Sequence, residues 1–145
     1  RHRKIYPNLR IMTSTVVFTN GCFDVLHRGH IELFKYAKNL GSTLIVGIDT
    51  DEKVKQDKGP CRPFNSLKDR IFILESIKYI DEVVVFGSKQ ELQSLVASIT
   101  PDILVKGTDW KGKEIVGEES AKEVRFFERI EGYSTTEILE NSPNW

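Results

Sequence analysis

Short apolar runs that alternate with helical patterns are the feature that most constrains this fold. Strand-like runs occupy residues 15–19, 43–48, 82–86, 102–106 and 123–128. Apolar residues recur at helical spacing from Gly29 to Leu40, and a short polar helix is predicted at residues 49–56. Ser66, Ser88 and Ser134 each precede an acidic residue by three positions, the pattern of a capping box. The order predicts an α/β protein with a Rossmann-like, doubly wound parallel sheet of about five strands and helices on both faces.

Composition excludes several classes of function. The chain has 145 residues, the size of one domain. Lysine plus arginine equals aspartate plus glutamate at 21 each, so net charge indicates neither a nucleic-acid partner nor an anionic membrane. No apolar run reaches the roughly 18 residues of a membrane span. We expect one domain at residues 15–141, with tails at 1–14 and 142–145.

The small number of cysteines and the amino-terminal sequence bear on the cellular compartment of the protein. Only Cys22 and Cys61 occur, and no secretory leader precedes them, which predicts a cytoplasmic protein. The first residue is not methionine, so a fragment of a longer polypeptide stays an open alternative.

Ligands of doubly wound sheets bind beyond the carboxyl ends of the strands, at the point where the strand order reverses. Applied to the predicted strands, that rule selects four segments for the functional site. They are residues 19–30, 49–62, 106–110 and 129–136.

The first of these segments has the chemistry of a phosphate site. A strand runs through Gly21 into a helix that starts near Gly29, which presents free backbone amides to an anion. His27 and His30 lie three residues apart, on one side of the first helical turn. The helix dipole disfavours imidazolium there, so we expect neutral rings whose N–H groups face phosphate oxygens. Such groups suit attack of an ionised phosphate on a nucleotide α-phosphorus, which needs positioning and charge stabilisation instead of a general base.

The cysteines and histidines of this region allow two other arrangements. Cys22, His27, His30 and Cys61 could form a zinc site, although their spacing matches no usual zinc pattern. A disulfide between the two cysteines is favoured less still. No residue-held metal is therefore predicted.

Residues 21–30, GCFDVLHRGH, match the pattern G-x-F-D-x-x-H-x-G-H of the cytidylyltransferase-like nucleotidylyltransferases. The resemblance continues through LIVGIDTDEKVKQDKGPCRP at residues 44–63, VKGTDW at 105–110 and EGYSTTEI at 131–138. It covers residues 16–139 in the family's order. Within the family the chain looks most like the adenylyltransferases of ADP-heptose synthesis.

The resemblance implies a role for each matching position. Contacts to the triphosphate and to the transition state would come from His27 and His30, and the catalytic Lys58 would reach phosphates of the nucleotide or of the acceptor. The nucleotide would be bound by Asn20, Gly21, Cys22, Phe23, Gly29, Lys106, Gly107, Asp109, Arg129, Ser134, Thr135 and Thr136. The phosphorylated sugar or polyol acceptor would be bound by Arg62, Arg70 and Trp110, and by Asp24, which would orient either acceptor hydroxyls or the phosphate loop. The resemblance also implies Mg²⁺ bridging the phosphates of a nucleoside triphosphate, a homodimer, and fusion to or cooperation with a sugar kinase.

Some residues depart from that branch. The segment 129–136 and the pair Asp109-Trp110 resemble glycerol-3-phosphate cytidylyltransferases, whereas Lys106-Gly107 and the segment 58–63 resemble the heptose enzymes. Adenine is therefore favoured over cytosine, with the cytidylyltransferase as the alternative. A non-catalytic nucleotide-binding module, or a fragment of a kinase fusion, is the alternative of another class.

Overall fold

The computed structural model describes residues 15–129 and 134–140, excluding the side chains of 136, 137 and 140. The proposed tails, residues 130–133 and the side chain of Thr136 lie outside that description. In chain order the elements are β1 (Val16–Gly21), α1 (Arg28–Asn39), β2 (Thr43–Asp49), α2 (Asp51–Lys58), α3 (Leu67–Glu75), β3 (Glu82–Phe86), α4 (Lys89–Ile99), β4 (Ile103–Gly107), two 3-10 turns (Thr108–Trp110 and Glu118–Ser120), β5 (Glu123–Phe127) and α5 (Thr135–Glu140). None of the described helices is long and apolar enough to cross a membrane.

The five strands form one parallel sheet in the order β3-β2-β1-β4-β5. From β1 the chain moves outward through β2 to β3, then crosses back to place β4 on the other side of β1. The strand order therefore reverses between β1 and β4, where ligands of this fold class bind. The predicted Rossmann-like sheet is confirmed.

Alternate strand residues face opposite sides of the sheet and bury two cores. The first face holds Val17, Leu44 and Val46, which pack with residues of α1 and α3 such as Phe34 and Leu74. The second face holds Phe18, Ile45, Phe86 and Leu104, which pack against Leu92 and Val96 of α4. On β5, Phe127 packs on the first face and Phe126 on the second, as their adjacency in a strand predicts.

Hydroxyl caps set the starts of three helices. Ser66 Oγ accepts the N–H of Asp69 at 3.3 Å, and Ser88 Oγ accepts that of Glu91 at 3.0 Å. Thr50 caps α2 in the same way. The polar helix α2 runs to Lys58, two residues beyond the predicted end, and stops at Gly59, whose φ of 104° favours glycine. Lys58 is therefore in the last turn of a helix, not in the following loop.

Candidate active site

The segment between β1 and α1, residues 22–27, is held in place by Asp24, and we call this segment the phosphate loop. This side chain is buried, with 2% of its surface exposed, and its two oxygens accept the backbone N–H groups of Phe64 and Asn65. Asp24 thus ties the phosphate loop to residues 62–65. Of the two roles that the resemblance implies for Asp24, this geometry favours orienting the phosphate loop, because its buried carboxylate is occupied by backbone N–H groups and is not open to the acceptor.

Two histidines build the amino terminus of α1. His27 is the cap residue, and its Nδ1 atom accepts the N–H of Gly29 at 3.0 Å. Three residues later, Nδ1 of His30 accepts the N–H of His27 at 3.1 Å. The pair forms a capping box made of imidazoles, which serine-based motifs do not reveal. Since each Nδ1 is an acceptor, each neutral ring carries its proton on Nε2.

The electrostatics of the site keep these rings neutral. The pKa of His30 is lowered to about 3, mainly by burial and also by the neighbouring His27, Arg129 and Lys58. Burial, followed by Arg129, also lowers the pKa of His27. Neutral rings were predicted from the helix dipole, whereas burial is the largest cause here. At neutral pH both residues are hydrogen-bond donors through Nε2.

A cavity of about 390 Å³ opens over this pair, on the first face of the sheet. We call it the first cavity. Its cationic side chains are those of Lys58, Arg62 and Arg129, and Asp109 is the carboxylate in its wall. The remaining lining residues are His27, Gly29, His30, Leu33, Gly107, Phe127, Ser134 and Thr135. The three cations, two histidines and a helix amino terminus give this cavity the chemistry of a polyphosphate site.

Two contacts shape the rim of the first cavity. Thr135 Oγ1 donates to the carbonyl of Val25 at 2.7 Å, which joins the start of α5 to the phosphate loop. Arg62 Nε lies 3.6 Å from Asp24 Oδ2 and is buried without a hydrogen-bond partner in the described part of the chain. Its guanidinium is therefore held at the cavity wall by charge, with donor capacity left for a ligand.

A second cavity of about 590 Å³ lies on the other face of the sheet. Its lining comprises Asn20, Asp49, Lys53, Gln56, Asp57, Phe86, Gly87, Ser88, Lys89, Leu92, Lys106, Trp110, Glu114 and Val116. At the end of β4 the adjacent residues Lys106 and Gly107 line the second and the first cavity respectively, as Asp57 and Lys58 do at the end of α2. Lys106 Nζ lies 4.4 Å from the centroid of the Trp110 ring, and burial lowers the pKa of Lys106.

Arg70 is placed differently from its predicted role. It is fully buried, and its guanidinium donates to the carbonyls of Asn65 and Cys22 and to Asp51 Oδ1. These three oxygens belong to three separate segments, so Arg70 braces the floor of the phosphate loop. The expectation that it grips the acceptor phosphate is corrected, since its donors are directed at protein oxygens and it lines neither cavity.

Some of the other predicted site residues line one of the two cavities, and others are buried or half-buried in the phosphate loop. Asn20 and Lys106, predicted to bind the nucleotide, line the second cavity together with Trp110, whereas Arg62, predicted to bind the acceptor, lines the first. Phe23 is buried at a φ of 47° and packs edge-on against His30, with ring centroids 5.6 Å apart. Cys22 is half-buried, and burial raises the pKa of its thiol.

Neither alternative use of the cysteines is realised in the described chain. Cys22 and Cys61 are free thiols. Among residues 15–129 and 134–140, no group of three or more histidine, cysteine or acidic side chains is arranged to hold a metal ion. The zinc arrangement considered from the sequence is therefore not formed.

Sequence reasoning missed part of the second cavity. Gly87, Ser88 and Lys89 follow β3 at the carboxyl edge, so the rule that selected the other segments applies to them as well. Lys53 and Asp57 lay inside a selected segment, but nothing in their spacing distinguished them from solvated helix charges.

The fold and the phosphate-type cavity at its switch point define a nucleotide-binding α/β protein. A family profile described as Cytidylyltransferase-like matches residues 18–141. The chain therefore belongs to the cytidylyltransferase-like family of nucleotidyltransferases.

Several known proteins resemble the chain. It is 46% identical to "Bifunctional protein HldE" of Helicobacter pylori strain J99, over 96% of this chain and 31% of that protein. It is 50% identical to the protein of the same name from Nitratiruptor, over 86% of this chain and 27% of that protein. The chain thus corresponds to less than a third of the length of these relatives.

Solved structures share the fold. A lipopolysaccharide core biosynthesis protein from Thermoplasma volcanium is 27% identical with a TM-score of 0.67, covering 80% of this chain and 98% of that one. Pantothenate synthetase from Thermus thermophilus, 14% identical with a TM-score of 0.61, covers 95% of this chain and 66% of that one. The second likeness concerns the fold alone.

Proposed function

We propose that this chain transfers AMP from ATP to a sugar phosphate, such as D-glycero-D-manno-heptose 1-phosphate, and releases pyrophosphate. The observation that carries the proposal is the pair of cavities on opposite faces of the sheet, whose linings include the adjacent residues Lys106 and Gly107 at the end of β4. In-line transfer requires the attacking oxygen and the departing pyrophosphate on opposite sides of the α-phosphorus. The first cavity suits the triphosphate, and the second suits the acceptor.

The reaction balances without a general base. An ionised oxygen of the acceptor phosphate attacks the α-phosphorus of ATP, forming a new phosphorus–oxygen bond. The bond from the α-phosphorus to the bridging oxygen breaks, and that oxygen leaves with the electron pair as part of pyrophosphate. No proton needs to be removed, so the protein's task is to align the reactants and stabilise the developing negative charge.

The residues of the first cavity fit that task. The Nε2–H groups of His27 and His30 would donate to phosphate oxygens at the transferring group. Lys58, Arg62 and Arg129 would neutralise the charge that builds up on pyrophosphate. The start of α5, at Ser134 and Thr135, would hold the terminal phosphates. Preorganised donors of this kind each contribute about 100–1,000-fold in rate.

Magnesium is treated as part of the nucleotide. The first cavity contributes one carboxylate, Asp109, whose side chain is 51% exposed. Mg²⁺ usually keeps several waters and takes one or two carboxylates together with substrate phosphates. The donor set therefore fits an ion that arrives with ATP, with Asp109 as the residue that would contact it. When bound, the ion supplies charge neutralisation at the phosphates.

The identity of the base and acceptor rests on resemblance. The Lys58-to-Pro63 segment and the Lys106-Gly107 pair resemble the ADP-heptose enzymes, which favours adenine and a heptose. The likeness to a lipopolysaccharide core biosynthesis protein from Thermoplasma volcanium supports a sugar-nucleotide pathway. The relatives are named bifunctional and are about three times as long. We therefore place this chain beside a sugar kinase, fused or separate, and expect a cytoplasmic homodimer.

Glycerol-3-phosphate cytidylyltransferase is the second candidate. It is favoured by one contact at the first cavity, where Arg129 approaches Asp109 at 3.9 Å, because both residues belong to the segments that resemble those enzymes. Such an enzyme would use CTP and a three-carbon acceptor. The same cavities would serve, and only the substrates would differ.

The test is magnesium-dependent pyrophosphate release over a grid of substrates. ATP, CTP, GTP and UTP are each paired with heptose 1-phosphate, glycerol 3-phosphate and phosphoethanolamine. Release with ATP and heptose 1-phosphate alone supports the proposal, and release with CTP and glycerol 3-phosphate supports the second candidate. Tight nucleotide binding by calorimetry without turnover on any acceptor would contradict both.

A further inference from the structure

One wall of the second cavity contains three bridged charged residues spaced four positions apart, from the end of β2 into α2. Lys53 Nζ lies 3.3 Å from Asp49 Oδ2 and 2.6 Å from Asp57 Oδ2, and all three side chains line the cavity. Lys53 also lies over the Phe86 ring, 5.8 Å from its centroid. We call Asp49, Lys53 and Asp57 the Asp–Lys–Asp wall.

The lysine fixes the two carboxylates without satisfying them. It binds one oxygen, Oδ2, of each aspartate, so both keep a second oxygen, Oδ1. No hydrogen bond reaches either Oδ1 atom from the described residues. Asp49 is only 9% exposed, and its side chain belongs to the cavity wall. A nearly buried carboxylate with an unused oxygen in a cavity wall is a ready acceptor for a ligand donor.

Charges of both signs line the second cavity. Lys106 belongs to the same lining as the Asp–Lys–Asp wall, and its ammonium group lies over the Trp110 ring. An acceptor phosphate is attracted to Lys106 and repelled by Asp49 and Asp57. The part of the acceptor that meets the Asp–Lys–Asp wall must therefore be uncharged and rich in donors. Hydroxyl groups on a sugar ring have these properties, and carboxylates accept strong hydrogen bonds from them.

We propose that the Asp–Lys–Asp wall binds hydroxyl groups of the acceptor sugar and sets a preference for sugar phosphates over short polyol phosphates. This inference rests on the proposed function, since it assumes that the acceptor occupies the second cavity. A glycerol phosphate anchored at Lys106 has only two hydroxyl groups, both close to its phosphate. A heptose phosphate has more hydroxyls, distributed around and beyond a ring, and so offers more donors to Asp49 and Asp57.

The experiment compares four single variants of the full chain. Asp57→Asn and Asp49→Asn remove one charged acceptor each, and Lys53→Met removes the bridge. Asp69→Asn is the matched control, because Asp69 is an exposed helical aspartate that lines neither cavity. Each variant is assayed for pyrophosphate release with ATP and heptose 1-phosphate, and its thermal midpoint is measured.

The expected result is a rise of roughly 10-fold or more in the acceptor KM for the three wall variants, as for the loss of a hydrogen bond to a charged group. The KM for ATP and the behaviour of Asp69→Asn should not change. A lowered thermal midpoint with unchanged acceptor KM in all three would overturn the inference and leave the proposed function standing. Failure of the unsubstituted chain to use any sugar phosphate, with turnover of glycerol 3-phosphate, would overturn both.

Discussion

The imidazole rings of His27 and His30 lie 3.9 Å apart between centroids, and each ring's Nδ1 accepts a backbone N–H from the start of α1. The bonds that cap the helix are therefore the bonds that fix the tautomer of both rings. Because Nδ1 is engaged, Nε2 carries the proton of each neutral ring. A single local motif thus begins the helix and presents two donors to the first cavity.

Replacing either histidine by alanine should reduce kcat by about 100–1,000-fold, since one preorganised donor to the transferring phosphoryl group is lost. The measurement is pyrophosphate release under saturating substrates. His30→Gln provides a folding control, because glutamine at this position can still reach back to the cap N–H of His27. Near-normal turnover by folded His27→Ala and His30→Ala would rule out this role.

Stability should depend on pH through His30. Its pKa falls from 6.5 to about 3 on folding, mainly through burial, so the unfolded chain binds more protons between these values. Stability attributable to neutral His30 is then complete above pH 6.5 and declines as pH falls toward 3. The free energy of unfolding should fall by about 1 kcal/mol more in the native chain than in His30→Gln between pH 7.5 and 5.5.

Urea denaturation at each pH measures this difference, because the linear extrapolation compares the two chains under matched conditions. Asp51, Asp81 and Asp102 also have lowered pKa values, but they are shared by both chains and cancel in the comparison. Parallel pH profiles for the two chains would show that His30 is not held neutral by folding.

The strand–helix order and the site's general location could be predicted from the sequence, whereas the division of roles within the site could not. Apolar runs and serine caps are local signals, and the switch-point rule converts them into an edge of the sheet. Adjacent residues of a strand face opposite sides, so Lys106 and Gly107 line different cavities although the resemblance implies one ligand for both; which ligand each cavity takes is not a local property of the sequence.

Arg70 shows a second limit on predicting the site from the sequence. An arginine near a phosphate site suggests an anion ligand, yet its three partners are oxygens from residues 19, 48 and 5 positions away along the chain. Such contacts exist only after the phosphate loop, α2 and α3 have packed together. No pattern in the sequence distinguishes a buried brace from a substrate clamp.

Replacing Arg70 with methionine should lower the free energy of unfolding by about 3 kcal/mol, because two backbone carbonyls and a carboxylate lose their donor in a buried position. Arg70→Lys should recover part of that loss. Arg125→Met is the control, since the Arg125 side chain is 46% exposed and its ion pair with Glu123 is solvated. Denaturation by urea gives all three values. A stable Arg70→Met chain whose acceptor KM alone rises would restore the direct ligand role suggested by the sequence.

Lys106 offers the sharpest test of where the acceptor phosphate binds. Lys106→Met keeps the length and apolar contacts of the side chain but removes the charge beside Trp110, so the acceptor KM should rise roughly 10- to 100-fold while the KM for ATP changes little. The free energy of unfolding should change little, because the native chain already bears the cost of burying the charged Lys106 ammonium group, and the same burial lowers the Lys106 pKa.

Lys111→Met is a matched control, since Lys111 also lies over an aromatic ring, 5.5 Å from the Phe126 centroid, but lines neither cavity. Steady-state kinetics with each substrate varied in turn separates the two KM values. A rise in the ATP KM alone would instead assign Lys106 to the nucleotide and move the acceptor away from the second cavity.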